Sequence, residues 1–382
     1  IHLLNSQETR ASRLWLPGAV ITGASGKQYV LRDGFHSAGT QADFYEAQGP
    51  GGERTAIKVF RRAASLQRND FDGNDFLFYN EIATMETLRN RGVLSAPRIY
   101  DHYPDGAPQP WVAMEYLEGQ TLRHWMAGKS VSERMRMFSS LLRAVQAMHE
   151  AGVVHRELKP ANIFITSSGE VKILDFAFSF AQSGYDWMPI AGVQIYGSPA
   201  YMPAEHLDHS HSQKYLVQKD IYALGAILYE LVRDQQLWSL FMAESLPWRA
   251  LINQKIILGE MTPERMKTSL PVLWRHLTKV IVRAVQYPPE KRYETVRQMA
   301  ADLKSATQTL VARSELRKIP RQDRVLSIGP EGKDPVLSIE QEPRKHPVFA
   351  GLGLARSESR TGPERPDRVM LTRDAAERLA AE

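Results

Sequence analysis

The hydrophobic pattern changes period at Gly119, and that change is the strongest constraint on the fold. Before it, from about residue 27, short runs rich in β-branched and aromatic residues are bounded by turn residues, at 28–31, 55–60 and 111–114. Such runs read as strands. Over 75–90, Phe76, Phe78/Tyr79, Ile82, Met85 and Leu88 recur instead at the spacing of one helix face. After Gly119 the period is helical. Met135, Phe138, Leu141, Leu142, Val145 and Met148 share a face over 132–149, and Ala151-Gly152 stops that helix. Two short strands follow, at 162–165 and 171–174, joined by Ser167-Ser168-Gly169. Helical segments run on to about residue 312.

A chain of 382 residues suits two lobes with extensions. The hydrophobic share of 43% supports a packed core and excludes a wholly disordered or collagen-like chain. Cysteine is absent, which excludes a disulfide framework, a thiolate zinc site and a cysteine nucleophile. A net charge of +5 is mild for this length and predicts no nucleic-acid partner. No stretch approaches the ~18–20 apolar residues of a membrane-spanning helix. The longest apolar run, 221–229, stops at Glu230 and reads as a buried core helix. A cytoplasmic location is the expectation, although the first residue is Ile and a lost targeting segment is left open. Residues 1–26 read as a mixed lead punctuated by Pro17-Gly18, Gly23 and Gly26. Residues 313–382, rich in Pro and alternating charge, read as a mostly disordered or linker tail. Within it, Val-Leu-Ser-Ile occurs at 325–328 and 336–339, marking two short strands, and a helix is expected near 372–381.

The chemistry-bearing residues lie where the 132–149 helix gives way to the two strands. The run is His155-Arg156-Glu157-Leu158-Lys159-Pro160-Ala161-Asn162, followed by Asp175-Phe176-Ala177. Taken singly these residues are ordinary: Asn162 and Asp175 are common turn residues, and Lys58 would pass for a solvated strand lysine. Together and in order, the pattern resembles the eukaryotic-like Ser/Thr protein kinase family, whose catalytic loop reads His-Arg-Asp-Leu-Lys-Pro-x-Asn and whose metal motif reads Asp-Phe-Gly. The resemblance runs over roughly 27–312. It implies an α+β, bilobal kinase-like fold, with a β-rich N-lobe at 27–118 and a helical C-lobe at 119–312. It implies ATP and Mg²⁺, and direct in-line transfer of the γ-phosphoryl group to Ser/Thr hydroxyls of a protein substrate, with autophosphorylation among the acceptors.

The same resemblance assigns roles by position. Lys58 would hold the α/β-phosphates and Glu81 would pair with it. Asn162 and Asp175, both oxygen donors, would hold Mg²⁺. Glu157 would orient the acceptor hydroxyl and Lys159 would neutralise the transferring phosphoryl group. Ala56, Met114, Glu115 and Leu117 would border the adenine, with Met114 as gatekeeper. Of the family's three loop glycines only Gly39 remains, Ser37 and Ala42 taking the other places. Glu205 would pair with Arg292, and Asp220 would cap the catalytic loop. Ser198 would help seat the substrate. His206, His209 and His211 read as solvated surface residues.

Two departures bear on activity. Position 157 is Glu where the family has Asp. The carboxylate is kept but is displaced by up to about 1.5 Å, one C–C bond. A misplacement near 1 Å can cost about 100-fold in rate. Ala177 replaces the motif glycine and narrows the backbone choices of its loop. Glu157 is therefore compatible with a working base on an adjusted loop, with a nucleotide-binding pseudokinase acting as a signalling scaffold, and with an introduced substitution. Arg156 would read an activation-loop phosphate, with Ser179 and Ser183 as candidate acceptors.

Overall fold

The computed structural model describes residues 15–32, 42–60, 73–103, 110–181, 199–203, 205, 215–234, 236–237, 276–318, 325–327, 336–338 and 368–370. The chain divides into two compact units. The first comprises Ile1–Pro271 and Thr278–Ala300, and the second Val272–Leu277 and Ala301–Glu382.

The first unit opens with a six-stranded antiparallel sheet. Its strands are β1 (Val20–Thr22), β2 (Gln28–Leu31), β3 (Ala42–Gln48), β4 (Arg54–Phe60), β5 (Ile99–His102) and β6 (Trp111–Glu115), in the order β1-β2-β3-β4-β6-β5. Helix α1 (Gly73–Asn90) connects β4 to β5. Alternation along the strands sends Tyr29 and Leu31 of β2, Ile57 and Val59 of β4 and Trp111 and Ala113 of β6 into one core. Tyr29 meets Trp111 edge-on at 5.9 Å, a favoured aromatic geometry.

Of the stretch 1–26 expected as a lead, the described residues 15–26 contribute to this lobe. Val20–Thr22 pairs along β2, and Trp15 stacks on Tyr45 at 5.3 Å. The β1–β2 turn reaches the opposite edge of the sheet. Ala24 N–H donates to the His102 carbonyl at 2.9 Å, and Ser25 donates to the Asp101 carboxylate through both its amide and its hydroxyl. First and last strands are thus tied, and the sheet curls onto itself. Gly23 leaves room for this contact, because a Cβ there would fall on the Asp101 carboxylate.

The polypeptide then enters the helical part through β7 (Gly119–Thr121), α2 (Leu122–Trp125) and α3 (Val131–Glu150). A capping box between Ser130 and Glu133 starts α3, satisfying amides that the first turn leaves open. Its buried face includes the six apolar residues expected from the periodicity. Strands β8 (Val153–Val154), β9 (Ile163–Thr166), β10 (Val171–Ile173) and β11 (Phe180–Ala181) follow. β10 and β7 flank β9, and β11 pairs with β8. Helix α4 (Leu216–Arg233) carries the 221–229 run, all of it buried as expected. Gly225 lets it approach Ala284 and Val285 at the end of α5 (Thr278–Ala284). Helix α6 spans Val296–Lys318, beyond the 312 boundary read from the sequence.

In the second unit, β12 (Val325–Ser327), β13 (Val336–Ser338) and β14 (Arg368–Met370) form a small antiparallel sheet. The two Val-Leu-Ser copies pair with each other. The helix expected near 372–381 lies outside the described residues. Among the described residues no helix is long and apolar enough to cross a membrane.

Candidate active site

Strand register sets the first wall of the site. In β4, Ile57 and Val59 point into the core, so Ala56 and Lys58 point to the other face. Residues directly opposite on neighbouring strands share a face. Ala56 lies against Met114 and Glu46, and Lys58 against Val112 and Phe44. Ala56, Lys58 and Met114 therefore line one surface. Leu117, on the strand's exit, is half-buried.

Lys58 is 5% exposed, and its Nζ bridges two carboxylates, Glu81 Oε2 at 2.6 Å and Asp175 Oδ1 at 2.9 Å. Burial pulls the ammonium down, but the Asp175 and Glu81 charges outweigh it, and the group stays above its ordinary value. Burial also raises the Asp175 carboxyl, and Lys58 overrides it, leaving Asp175 below the ordinary range. Glu81 lies deeper. Burial and the facing Asp175 charge outweigh its contact with Lys58 and hold it above the usual range. Its carboxylate also accepts the Phe176 N–H.

The 155–162 loop is shaped from below by α4. Asp220, fully buried, accepts the N–H groups of His155 and Arg156 at 2.9 and 2.8 Å, and bonds His149 Nε2 at 2.8 Å. These bonds hold Arg156 at φ +67, a left-handed conformation that a residue with a Cβ resists. His155 Nδ1 accepts the Glu157 N–H at 3.2 Å, so its proton sits on Nε2, which donates to the Leu174 carbonyl at 3.0 Å. The ring packs edge-on against Phe176 at 5.2 Å. One imidazole thus joins the Glu157 loop to the strand end that carries Asp175, itself at φ +67.

Glu157 is 9% exposed, and Lys159 Nζ donates to its Oε1 at 2.6 Å. Asn162 is oriented by a bond from its Nδ2 to the Glu157 carbonyl at 3.0 Å, which turns its Oδ1 the other way. The structure therefore brings Lys58, Glu81, Glu157, Lys159, Asn162 and Asp175 into one linked set. Glu115 behaves differently. Its carboxylate turns to Lys172 Nζ at 3.1 Å and the Arg98 amide at 3.1 Å, and its own N–H donates to the Arg98 carbonyl at 2.8 Å. Arg54, unforeseen from sequence, lies over the Tyr116 ring at 3.9 Å and bonds Glu46 and Glu118.

Three further sequence expectations meet the structure here. Ala177 is buried and is absent from the positive-φ residues, so its backbone does not need glycine. Ser179 is 4% exposed, with its hydroxyl toward the His155 carbonyl at 3.4 Å, and is a poor phosphate acceptor in this arrangement. Glu205 and Arg292 form a buried bidentate pair, with one contact at 3.0 Å and the other shorter. Ser37, Gly39, Ser183, Ser198, His206, His209 and His211 lie outside the described residues.

A curled sheet with a helix between two of its strands, a helical part beneath it, and a lysine shared between carboxylates beside a His-x-Glu-x-Lys loop define a protein kinase-type architecture. The chain belongs to the protein kinase family: the protein kinase domain matches residues 38–303. A probable serine/threonine-protein kinase of Streptomyces coelicolor is 26% identical over 272 residues, covering 70% of this chain and 38% of that protein. The probable serine/threonine-protein kinase PknB of Corynebacterium glutamicum is 31% identical over 203 residues, 52% of this chain and 30% of its own. PknB of Mycobacterium leprae is 28% identical, covering 65% of this chain and 38% of its own. The chain thus spans about a third of the length of these curated relatives.

Proposed function

We propose that this chain is a protein serine/threonine kinase that transfers the γ-phosphoryl group of ATP to Ser/Thr hydroxyls of proteins. The observation that carries the reading is the Lys58 bridge to Glu81 and Asp175, at 2.6 and 2.9 Å. An active protein kinase needs that lysine–glutamate pair and the metal-motif aspartate in place together. The names of the bacterial relatives support Ser/Thr as the acceptor class.

The donor set fits Mg²⁺. Among the described residues no cluster of three or more His, Asp or Glu side chains could cage a metal unaided. Asn162 and Asp175 would offer oxygen donors, as suits a hard cation that keeps waters and phosphate oxygens as its other ligands. When bound there, Mg²⁺ supplies neutralising charge to the phosphates. Lys58 grips the α/β-phosphates, and Glu81 holds its ammonium in place. The ceiling over the adenine is formed by Ala56, with Met114 behind and Leu117 beside it. Glu157 accepts the hydrogen bond of the acceptor hydroxyl through the oxygen that Lys159 leaves, and orients it. The acceptor oxygen bonds to the γ-phosphorus as the bond to the ADP oxygen breaks, and the hydroxyl proton passes to Glu157. Lys159, at 2.6 Å from Glu157, lies where it can counter the phosphoryl charge.

The test is transfer from γ-labelled ATP with Mg²⁺ to a generic Ser/Thr protein, and to the chain itself. The parent incorporates label and Asp175→Ala does not. No label from the parent, with strong label from Glu157→Asp, would overturn the reading in favour of a nucleotide-binding pseudokinase.

A further inference from the structure

Asn80 precedes Glu81 on α1 and takes no part in the steps above. Its Nδ2 donates to the Ala177 carbonyl at 2.8 Å and to the Ser179 carbonyl at 2.9 Å. Two carbonyl acceptors decide the amide orientation, since the flipped amide would set oxygen against oxygen. Ala177 and Ser179 are both buried. Carbonyls in such a stretch have little water to fall back on. The next side chain, Glu81, accepts the Phe176 N–H. Consecutive residues of one helix therefore hold the backbone at 176, 177 and 179.

The same stretch is tied on its other side. Ser179 N–H closes a turn on the Phe176 carbonyl at 3.0 Å. Phe180 and Ala181 pair with Val154 and Val153, just before His155. The segment leaving Asp175 is thus fastened to α1 on one side and to the Glu157 loop on the other. Without the Asn80 bonds, the polar links left between Glu81 and the Asp175 segment are the shared Lys58 and the Phe176 amide.

We propose that Asn80 is a positioning residue for phosphoryl transfer: its two bonds lock residues 176–181 to α1, so that Glu81 and Asp175 keep their common hold on Lys58. The proposal rests on the kinase reading above and deepens it. An apolar side chain of similar size leaves two carbonyls short of a donor, which shifts the population of the locked arrangement roughly tenfold or more.

The experiment compares the full chain with Asn80→Leu and Asn80→His. Hydrogen exchange over 176–181 is measured without nucleotide, alongside kcat, KM for ATP and the melting temperature. In Asn80→Leu, exchange at 177–181 quickens roughly tenfold and kcat falls roughly tenfold, while KM for ATP stays within about twofold and melting stays near the parent. Asn80→His, whose ring can supply one donor, recovers part of both losses. Unchanged exchange in Asn80→Leu overturns the lock. Faster exchange with unchanged kcat overturns its role in transfer. A parent that transfers no label removes the kinase reading, while the exchange comparison still decides the lock. Should Asn80→Leu fail to fold, Asn80→Ser, which shortens the reach without adding bulk, takes its place under the same criteria.

Discussion

Lys159 holds one oxygen of Glu157 at 2.6 Å, so the longer side chain is anchored rather than loose. A loop built around that length has little use for a shorter acid. Glu157→Asp draws the carboxylate back by about 1.5 Å and lowers kcat roughly 100-fold in steady-state transfer assays. Glu157→Gln keeps the length, loses the proton acceptor, and lowers kcat by about 100-fold or more. Arg292 and Glu205 are 3% and 0% exposed. Removing one partner strands a buried charge. Arg292→Ala loses roughly 3–5 kcal/mol in urea unfolding. These residues were legible because each carries an unusual chemical demand at a fixed order along the chain. Asn80 was not. A polar residue on a helix looks the same in sequence whether it meets water or two backbone carbonyls.

Helix α4 shows how an element serves the site without entering it. Its apolar run buries it centrally, and that burial brings Asp220 under the 155–157 backbone. Burial pushes the Asp220 carboxyl up, but the His149 hydrogen bond, the neighbouring histidines and the loop amide bring it below its ordinary value. The folded value is thus lower than the unfolded one, near 4. Its contribution to stability is whole above pH ~4 and is lost as pH falls through the depressed folded value. Asp220→Asn is expected to be less stable at neutral pH and to show a flatter acid limb. Urea midpoints from pH 7 downward check this. Long elements such as α3 and α4 were visible in the periodicity. The strands β1, β8 and β11 have three, two and two residues, too few for any alternation to show. Their places are set by partners distant in sequence.

Across the whole first unit, the sheet depends on its two ends being tied. Asp101 receives the β1–β2 turn, and Trp15 covers Tyr45. A chain beginning at residue 27, where the sequence pattern first turns strand-like, loses β1, the buried Ile21 and this tie. It is expected to be less stable by about 2–4 kcal/mol, read as a lower urea midpoint with an unchanged order of Lys58, Glu81 and Asp175 contacts. The strand order adds a consequence for biosynthesis. β6 lies between β4 and β5, so β5 has no neighbour in the sheet until β6 arrives. A nascent chain that has emerged only as far as residue 103 can pair β1 through β4, yet it cannot seat β5 or close the curl. The ribosome must release Trp111–Glu115 before the lobe has a finished core. A pause in translation between β5 and β6 would therefore leave an open, aromatic-lined sheet waiting for the strand that joins β4 to β5, and that interval is when a chaperone has something to hold.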